Sequence, residues 1–183
     1  MLQKNIIMKK YYNLIKKKYY DINKEFFNPL IAFIRYRYKK KKIKIAIYYP
    51  FNYEINVLRL LENNYIKNRS VLLPIVERNN EMNFFPWKKK EVLLVNKFGL
   101  LEPIKFISKI PDIILIPALA FDENKYRLGY GKGFYDRYLN KYLKKFKNIL
   151  TVGVAFSFQK YHKLPNDKND VALDYILTEK GIK

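Results

Sequence analysis

The nine residues 113–121, IILIPALAF, form the most apolar stretch of the chain and limit what it can fold into. They are far short of the roughly 18 apolar residues of a membrane span, and they read as a central strand buried on both faces. Comparable runs recur: residues 43–49 (IKIAIYY) closed by Pro50, 71–76 (VLLPIV) and 150–156 (LTVGVAF), with a last short strand at 175–178. MNFFPW and EVLLVNKFG, within residues 81–99, read as shorter strands around a Lys-rich turn at 88–90. Helical spacing lies between these runs. In residues 1–40 it links Leu14, Ile15, Tyr19, Ile22, Phe26 and Leu30, with Pro29 kinking or ending a helix. Asn52 can cap a helix over residues 53–63 that turns Ile55, Leu58 and Leu61 inward. A helix after residue 133 turns Tyr135, Tyr138, Leu139, Tyr142 and Phe146 inward. Strands alternating with helices predict an α/β fold, with a mostly parallel sheet and helices on both faces. The expected organisation is one domain over residues 1–183, with 1–40 as a basic helical arm.

Composition narrows the chemistry. The chain is 49% hydrophobic and 29% charged with a mean hydropathy of -0.32, which suits a globular protein. It has no Cys, so thiolate zinc sites, disulfides and Cys nucleophiles are excluded. The only His is His162, read as a surface residue. The N-terminus is basic but has no secretory apolar segment, so a soluble cytoplasmic protein without a membrane role is expected. The net charge of +21 first suggests a nucleic-acid binder. Yet Lys exceeds Arg about four to one, and Ile, Asn, Lys, Phe and Tyr, all with A/T-rich codons, are abundant. Compositional drift explains that profile, and residues 39–44 read as a solvated charge run. A positive surface still draws anionic ligands toward a cleft.

The segment RLGYGKGFYD, residues 127–136, holds three of the six glycines within five positions, between a buried strand and a helix. Ligands of open α/β sheets bind at the carboxyl ends of strands. Glycines let backbone N–H groups approach an anion, and the helix N-terminus favours negative charge. Arg127 and Lys132 supply cations for phosphate oxygens, and Asp136 is suited to a magnesium ion shared with the phosphates. Together these spell a nucleoside triphosphate site. No Ser or Thr follows Gly131-Lys132, so this is not a Walker loop, and Phe134 replaces the last glycine of a dinucleotide fingerprint. A tight turn with incidental charges is the bland alternative.

Phe121-Asp122 followed by RLGYGKGFYDRYL closely resembles the signature of the 5-formyltetrahydrofolate cyclo-ligase (5,10-methenyltetrahydrofolate synthetase) family. The resemblance extends to the basic N-terminal helix, the strand before Glu54-Ile55, VLLPIV, Met82-Asn83-Phe84, Glu102-Pro103, Leu164-Pro165 and Asp170. It implies a three-layer α/β/α sandwich, Rossmann-like, preceded by the basic helix. It also implies conversion of 5-formyltetrahydrofolate and MgATP to 5,10-methenyltetrahydrofolate, ADP and phosphate, with ATP as co-substrate and Mg2+ as metal. Arg127, Leu128, Gly129, Tyr130, Gly131, Lys132, Gly133, Phe134 and Tyr135 then resemble the ATP loop, with Arg127, Lys132 and Glu54 in catalytic roles. Lys10 resembles the basic residue closing over the phosphates, with Lys9 as an alternative; the next basic position of the pattern falls on Leu14, just before Lys16, Lys17 and Lys18. Tyr49, Glu54, Phe98, Tyr130 and Phe134 resemble substrate-contacting positions, and Asp136 and Asp170 the magnesium carboxylates. Trp87 reads as packing.

The partners implied are 5-formyltetrahydrofolate and ATP, acting on a monomer with no specific nucleic acid. Two alternatives stay open: a basic nucleic-acid-binding α/β module, and a family member that binds nucleotide without folate activity.

Overall fold

The structure is a computed structural model that describes residues 2–39, 42–67, 69–77 and 79–183. The chain opens with α1 (Leu2–Lys18), a 3-10 turn (Lys24–Phe27) and α2 (Asn28–Tyr38). Next come β1 (Lys44–Ala46), a second 3-10 turn (Val57–Glu62), α3 (Asn64–Lys67), β2 (Ser70–Val76) and β3 (Met82–Pro86). The hairpin of β4 (Leu93–Val95) and β5 (Leu101–Pro103) leads to β6 (Ile113–Pro117) and to a ribbon of β7 (Ala120–Phe121) and β8 (Arg127–Leu128). The rest is α4 (Phe134–Tyr142), β9 (Leu150–Val154), a 3-10 turn (Ser157–Gln159), β10 (Tyr175–Thr178) and β11 (Gly181–Ile182).

Seven strands form one sheet in the order β11-β10-β9-β6-β1-β2-β3. The five inner strands are parallel, and β3 and β11 close the edges antiparallel. The period-2 side-chain alternation of a strand sorts the core into two faces. Ile45, Ile47, Ile113 and Leu115 pack with Leu30, Ile31 and Ile34 of α2 and with Leu60 and Leu61. Ala46, Ile114 and Ile116 face the other way, against Tyr138 and Leu139 of α4. Both faces are covered, so the inner strands are apolar over most of their length. This is the three-layer α/β/α arrangement. A third cluster docks α1 through Ile7 and Tyr11 onto Ala120, Leu128 and Leu164.

Several sequence expectations change. Pro29 sits in the first turn of α2, so it starts a helix, where its missing N–H is tolerated. The 53–63 helix is instead a 3-10 turn at Val57–Glu62 followed by α3. Asn52 does not cap it but occupies a left-handed turn at φ 51°. Asn56 caps, accepting from the Leu58 N–H at 3.2 Å, and Asn63 accepts from the Tyr65 N–H at 2.9 Å. Asparagine side chains bonded this way to nearby backbone compete with helix continuation. The 113–121 run breaks after Pro117, and its last residues leave the sheet to build β7. Phe146 lies beyond α4 and is exposed. Within the 39–44 charge run, Lys40 and Lys41 lie outside the described residues.

Candidate active site

The ribbon of β7 and β8 positions the glycine loop. Phe121 pairs with Arg127 and Ala120 with Leu128. Asp122 closes the turn between them from a buried position, accepting from the N–H groups of Tyr126 and Leu164 at 3.0 Å each. Arg127 therefore leaves a fixed strand, and its loop reaches α4 seven positions on. Gly131 and Gly133 adopt φ of 81° and 64°, the left-handed region that a β-carbon disfavours.

A cavity of about 380 Å³ opens at the carboxyl end of the parallel strands. The whole loop from Arg127 to Asp136 lines it, together with Lys4, Phe51, Glu54, Phe98, Leu100, Pro117 and Asp170. Arg127, Lys132, Glu54, Leu128, Gly129, Tyr130, Gly131, Gly133, Phe134, Tyr135, Phe98, Asp136 and Asp170 thus converge here. Tyr49 lines an adjoining recess of about 90 Å³, which shares Glu54, Phe134 and Tyr135 with the main cavity. Two larger, lysine-lined depressions lie at the amino ends of β1 and β2 and offer no comparable constellation, and a third, of about 800 Å³, adjoins the site through Gly133, Asp136 and Asp170.

The charges are paired. Arg127 Nη1 donates to Asp136 Oδ1 at 2.8 Å and Nη2 to Oδ2 at 3.2 Å. The arginine side chain is only 4% exposed, and its buried Nε has no hydrogen-bond partner among the described residues. An unsatisfied buried donor is a cost that folds tolerate at sites more than in cores. Lys4 Nζ donates to Asp170 Oδ2 at 2.5 Å and to Asp167 Oδ2 at 3.0 Å. Lys132 stands 5.7 Å from the Phe98 ring centroid, and Phe98 tilts against Phe134 at 5.5 Å.

Glu54 lies in the turn after β1, where its Oε2 accepts the Phe51 N–H at 3.0 Å. It sits at no helix start, so it does not serve as a helix-dipole partner. Its carboxyl keeps some contact with solvent at the cavity, yet the surrounding protein desolvates it and pushes its pKa up to about 8. Burial, and then the charge of Glu54, raise the neighbouring phenols of Tyr48, Tyr130 and Tyr135.

Lys10 is corrected. Both Lys10 and its alternative Lys9 are exposed, and Lys4 takes the place in the cavity. Helical geometry explains the choice once the docked face of α1 is known. Ile7, Tyr11 and Ile15 form the buried stripe of α1. At about 100° per residue, Lys4 projects along the middle of that stripe, Lys10 about 100° off it and Lys9 opposite. Met8 of the same helix lies 3.7 Å from where a β-carbon on Gly131 would stand. Phe51, Leu100 and Pro117 carry no sequence signal for the site; only the fold gathers them. His162 is exposed, and Trp87 is buried, packing edge-on against Tyr49 at 6.4 Å.

Magnesium has a narrow fit. Among the described residues no three His, Cys, Asp or Glu gather into a metal cluster. Asp136 and Asp170 nevertheless bring two hard carboxylates to one cavity. Mg2+ commonly takes one or two carboxylates and completes its shell with substrate phosphates and water, so the pair suits an ion carried in with a nucleotide.

The chain as a whole is similar to proteins of one family. The 5-formyltetrahydrofolate cyclo-ligase of Haemophilus influenzae is 33% identical over 140 residues, covering 73% of this chain and 74% of that protein. That of Escherichia coli K12 is 30% identical over 142 residues, covering 73% and 76%. The NMR structure of Aquifex aeolicus 5,10-methenyltetrahydrofolate synthetase aligns with a TM-score of 0.76 at 32% identity, over 100% of this chain and 92% of that one. The Mycoplasma pneumoniae 5,10-methenyltetrahydrofolate synthetase aligns at 0.70 with 27% identity, over 95% and 97%. The model of the 5-formyltetrahydrofolate cyclo-ligase family matches residues 22–179, a span that includes the glycine loop, Glu54 and Asp170, and on this agreement of sequence and fold the chain belongs to that family.

Proposed function

We propose that this chain closes 5-formyltetrahydrofolate to 5,10-methenyltetrahydrofolate at the expense of ATP, as a ligase forming a C–N bond, and that the cavity between the Arg127–Asp136 loop, Lys4 and Glu54 is where it does so. The observation that carries this reading is the convergence of a phosphate-type loop, three cations and an aromatic wall in one cavity at the carboxyl end of a parallel sheet.

The chemical obstacle is the formyl oxygen, which cannot leave as oxide when N10 attacks the formyl carbon. Its attack on the γ-phosphorus of ATP breaks the bond to the β–γ bridging oxygen and releases ADP. The resulting imidate phosphate is electrophilic. N10 adds to its carbon and loses its proton, and phosphate departs with the formyl oxygen. Such a reaction asks the protein mainly for alignment and for neutralisation of charge on the transferring group.

Arg127 supplies a forked donor that Asp136 holds in one orientation. Lys4 adds a point charge from α1, and Lys132 a more exposed one. The backbone of the glycine loop approaches the phosphates, and Phe98, Phe134 and Tyr130 provide apolar faces for the folate ring system, with Glu54 and Tyr49 at its inner end. Asp136 and Asp170 are the residues that would hold Mg2+, with Lys4 yielding Asp170. When bound, the ion supplies neutralisation of phosphate charge.

The test is the absorbance change of methenyltetrahydrofolate formation in purified protein given 5-formyltetrahydrofolate, ATP and magnesium. Turnover that requires all three supports the reading. ATP binding without turnover leaves a nucleotide-binding family member. Duplex nucleic acid bound at low salt should be released as salt rises, the mark of a non-specific polyelectrolyte contact.

A further inference from the structure

The β4–β5 hairpin carries Phe98 at its tip; Leu93 packs on the core and Pro103 is buried at its base, while the turn itself projects beyond them. The hairpin forms a separate two-stranded sheet with three residue pairs, and Leu94 and Val95 are 56% and 70% exposed. A ribbon of this size is marginal by itself. A polar relay holds the turn. Asn96 Oδ1 accepts the N–H groups of both Phe98, at 2.8 Å, and Leu100, at 3.0 Å. The backbone closes around it, with the Gly99 N–H donating to the Asn96 carbonyl at 3.0 Å and Gly99 at φ 77°. The Asn96 amide then donates from Nδ2 to Glu102 Oε1 at 2.7 Å. The same oxygen accepts the Val76 N–H at 2.7 Å, at the carboxyl end of β2. One carboxylate oxygen therefore ties the hairpin turn to the main sheet.

We propose that Glu102 and Asn96 are positioning residues for the reaction: together they hold the Phe98 ring against Phe134 as a fixed wall of the cavity, and so set the affinity for the folate ring system. Neither side chain lines the main cavity that holds Phe98; Asn96 borders neither space and acts through Phe98, whereas Glu102 also borders the adjoining recess beside Tyr49 and Glu54, so the double-mutant cycle is built on Asn96. Lys97 and Lys132, with Nζ 5.0 and 5.7 Å from the Phe98 centroid, flank a ring whose place the relay determines. The inference rests on the reading that folate enters this cavity.

The test is a double-mutant cycle between Asn96→Ala and Phe98→Ala, read as KM for 5-formyltetrahydrofolate, KM for ATP and kcat. Asn96→Ala and Glu102→Ala should each raise the folate KM by about tenfold, with kcat and the ATP KM within about twofold, because uniform binding is what is lost. Glu102→Gln retains an oxygen that can accept both bonds and should recover most of the affinity. In the Phe98→Ala background, Asn96→Ala should add less than about twofold, since coupled residues are not additive. Amide exchange at Phe98 and Leu100 should quicken in Asn96→Ala, and unchanged protection there would overturn the relay. A full additional loss in the Phe98→Ala background overturns the positioning role, as does a raised KM for Phe98→Ala with none for Asn96→Ala. A normal folate KM for Phe98→Ala itself removes folate from this wall, and the proposal with it.

Discussion

The guanidinium of Arg127 and the carboxylate of Asp136, nine residues apart, meet in a forked pair at 2.8 and 3.2 Å across the glycine loop that joins them. The pair ties β8 to the first turn of α4, so the backbone between its two ends is held as a closed loop. Asp136 Oδ1 also lies 3.4 Å from the Val171 N–H, next to Asp170, which brings the third segment of the site into the same network.

Arg127→Ala should cost about 2–4 kcal/mol of transition-state stabilisation, roughly a 30- to 1,000-fold loss in kcat, the scale of one pre-organised donor. Asp136→Asn should act on two readouts at once. It leaves a guanidinium buried beside a neutral amide, so Tm should fall. It should also raise the magnesium concentration needed for half-maximal rate, with excess ion restoring part of the rate. Titration of magnesium in both variants checks this, and full activity of Asp136→Asn at limiting magnesium would leave the pair a purely structural role.

Lys4→Ala should lower kcat/KM for ATP by about 10–100-fold, the range for losing a charged hydrogen-bonding partner of a phosphate. Lys10→Ala should stay within about twofold of the unaltered enzyme. Steady-state kinetics of the two variants under one buffer decide between the cations, and the reverse ranking would refute the placement of α1 over the cavity.

Glu54 should show itself in stability against pH. Its ordinary value is 4.5 and its folded value about 8, so between these the folded chain keeps a proton that the unfolded chain has released. The stability this proton contributes is complete below about pH 4.5 and is lost as pH rises to 8. Glu54→Gln cannot ionise. Relative to the unaltered protein it should therefore gain stability with rising pH, by at most about 1.4 kcal/mol per pH unit across that window. Urea unfolding of both proteins at pH 5, 6.5 and 8 measures the difference; a pH-independent gap would refute the shift. The same variant should weaken folate use and leave ATP binding largely intact.

The surplus of lysine should matter little to turnover. Replacing Lys39, Lys40, Lys41 and Lys42 with glutamine should leave kcat unchanged at physiological ionic strength, where charges beyond about 8 Å are largely screened. A large fall would place that run in the site.

Much of this protein is legible in its sequence because the signals are local. Apolar runs of strand length, buried on both faces, identify β1, β2, β6 and β9, and their alternation with helical spacing gives the parallel sheet. The glycine loop is legible because its conformation, its cations and its carboxylate lie within ten consecutive residues. Elsewhere the local signal stops short. The 113–121 run has one composition but two fates, since the chain leaves the sheet after Pro117 to pair with Arg127 and Leu128. The six lysines of α1 are equally basic as residues. Only the docking of Ile7 and Tyr11 on Leu128 and Leu164 turns Lys4 inward, to meet Asp170 from 166 positions away. Glu54 is an ordinary carboxylate until tyrosines from three segments surround it. Local backbone preference and hydrophobic period can determine what an element is. Which of several like residues faces a shared cavity depends on how the elements pack, and that belongs to the tertiary structure.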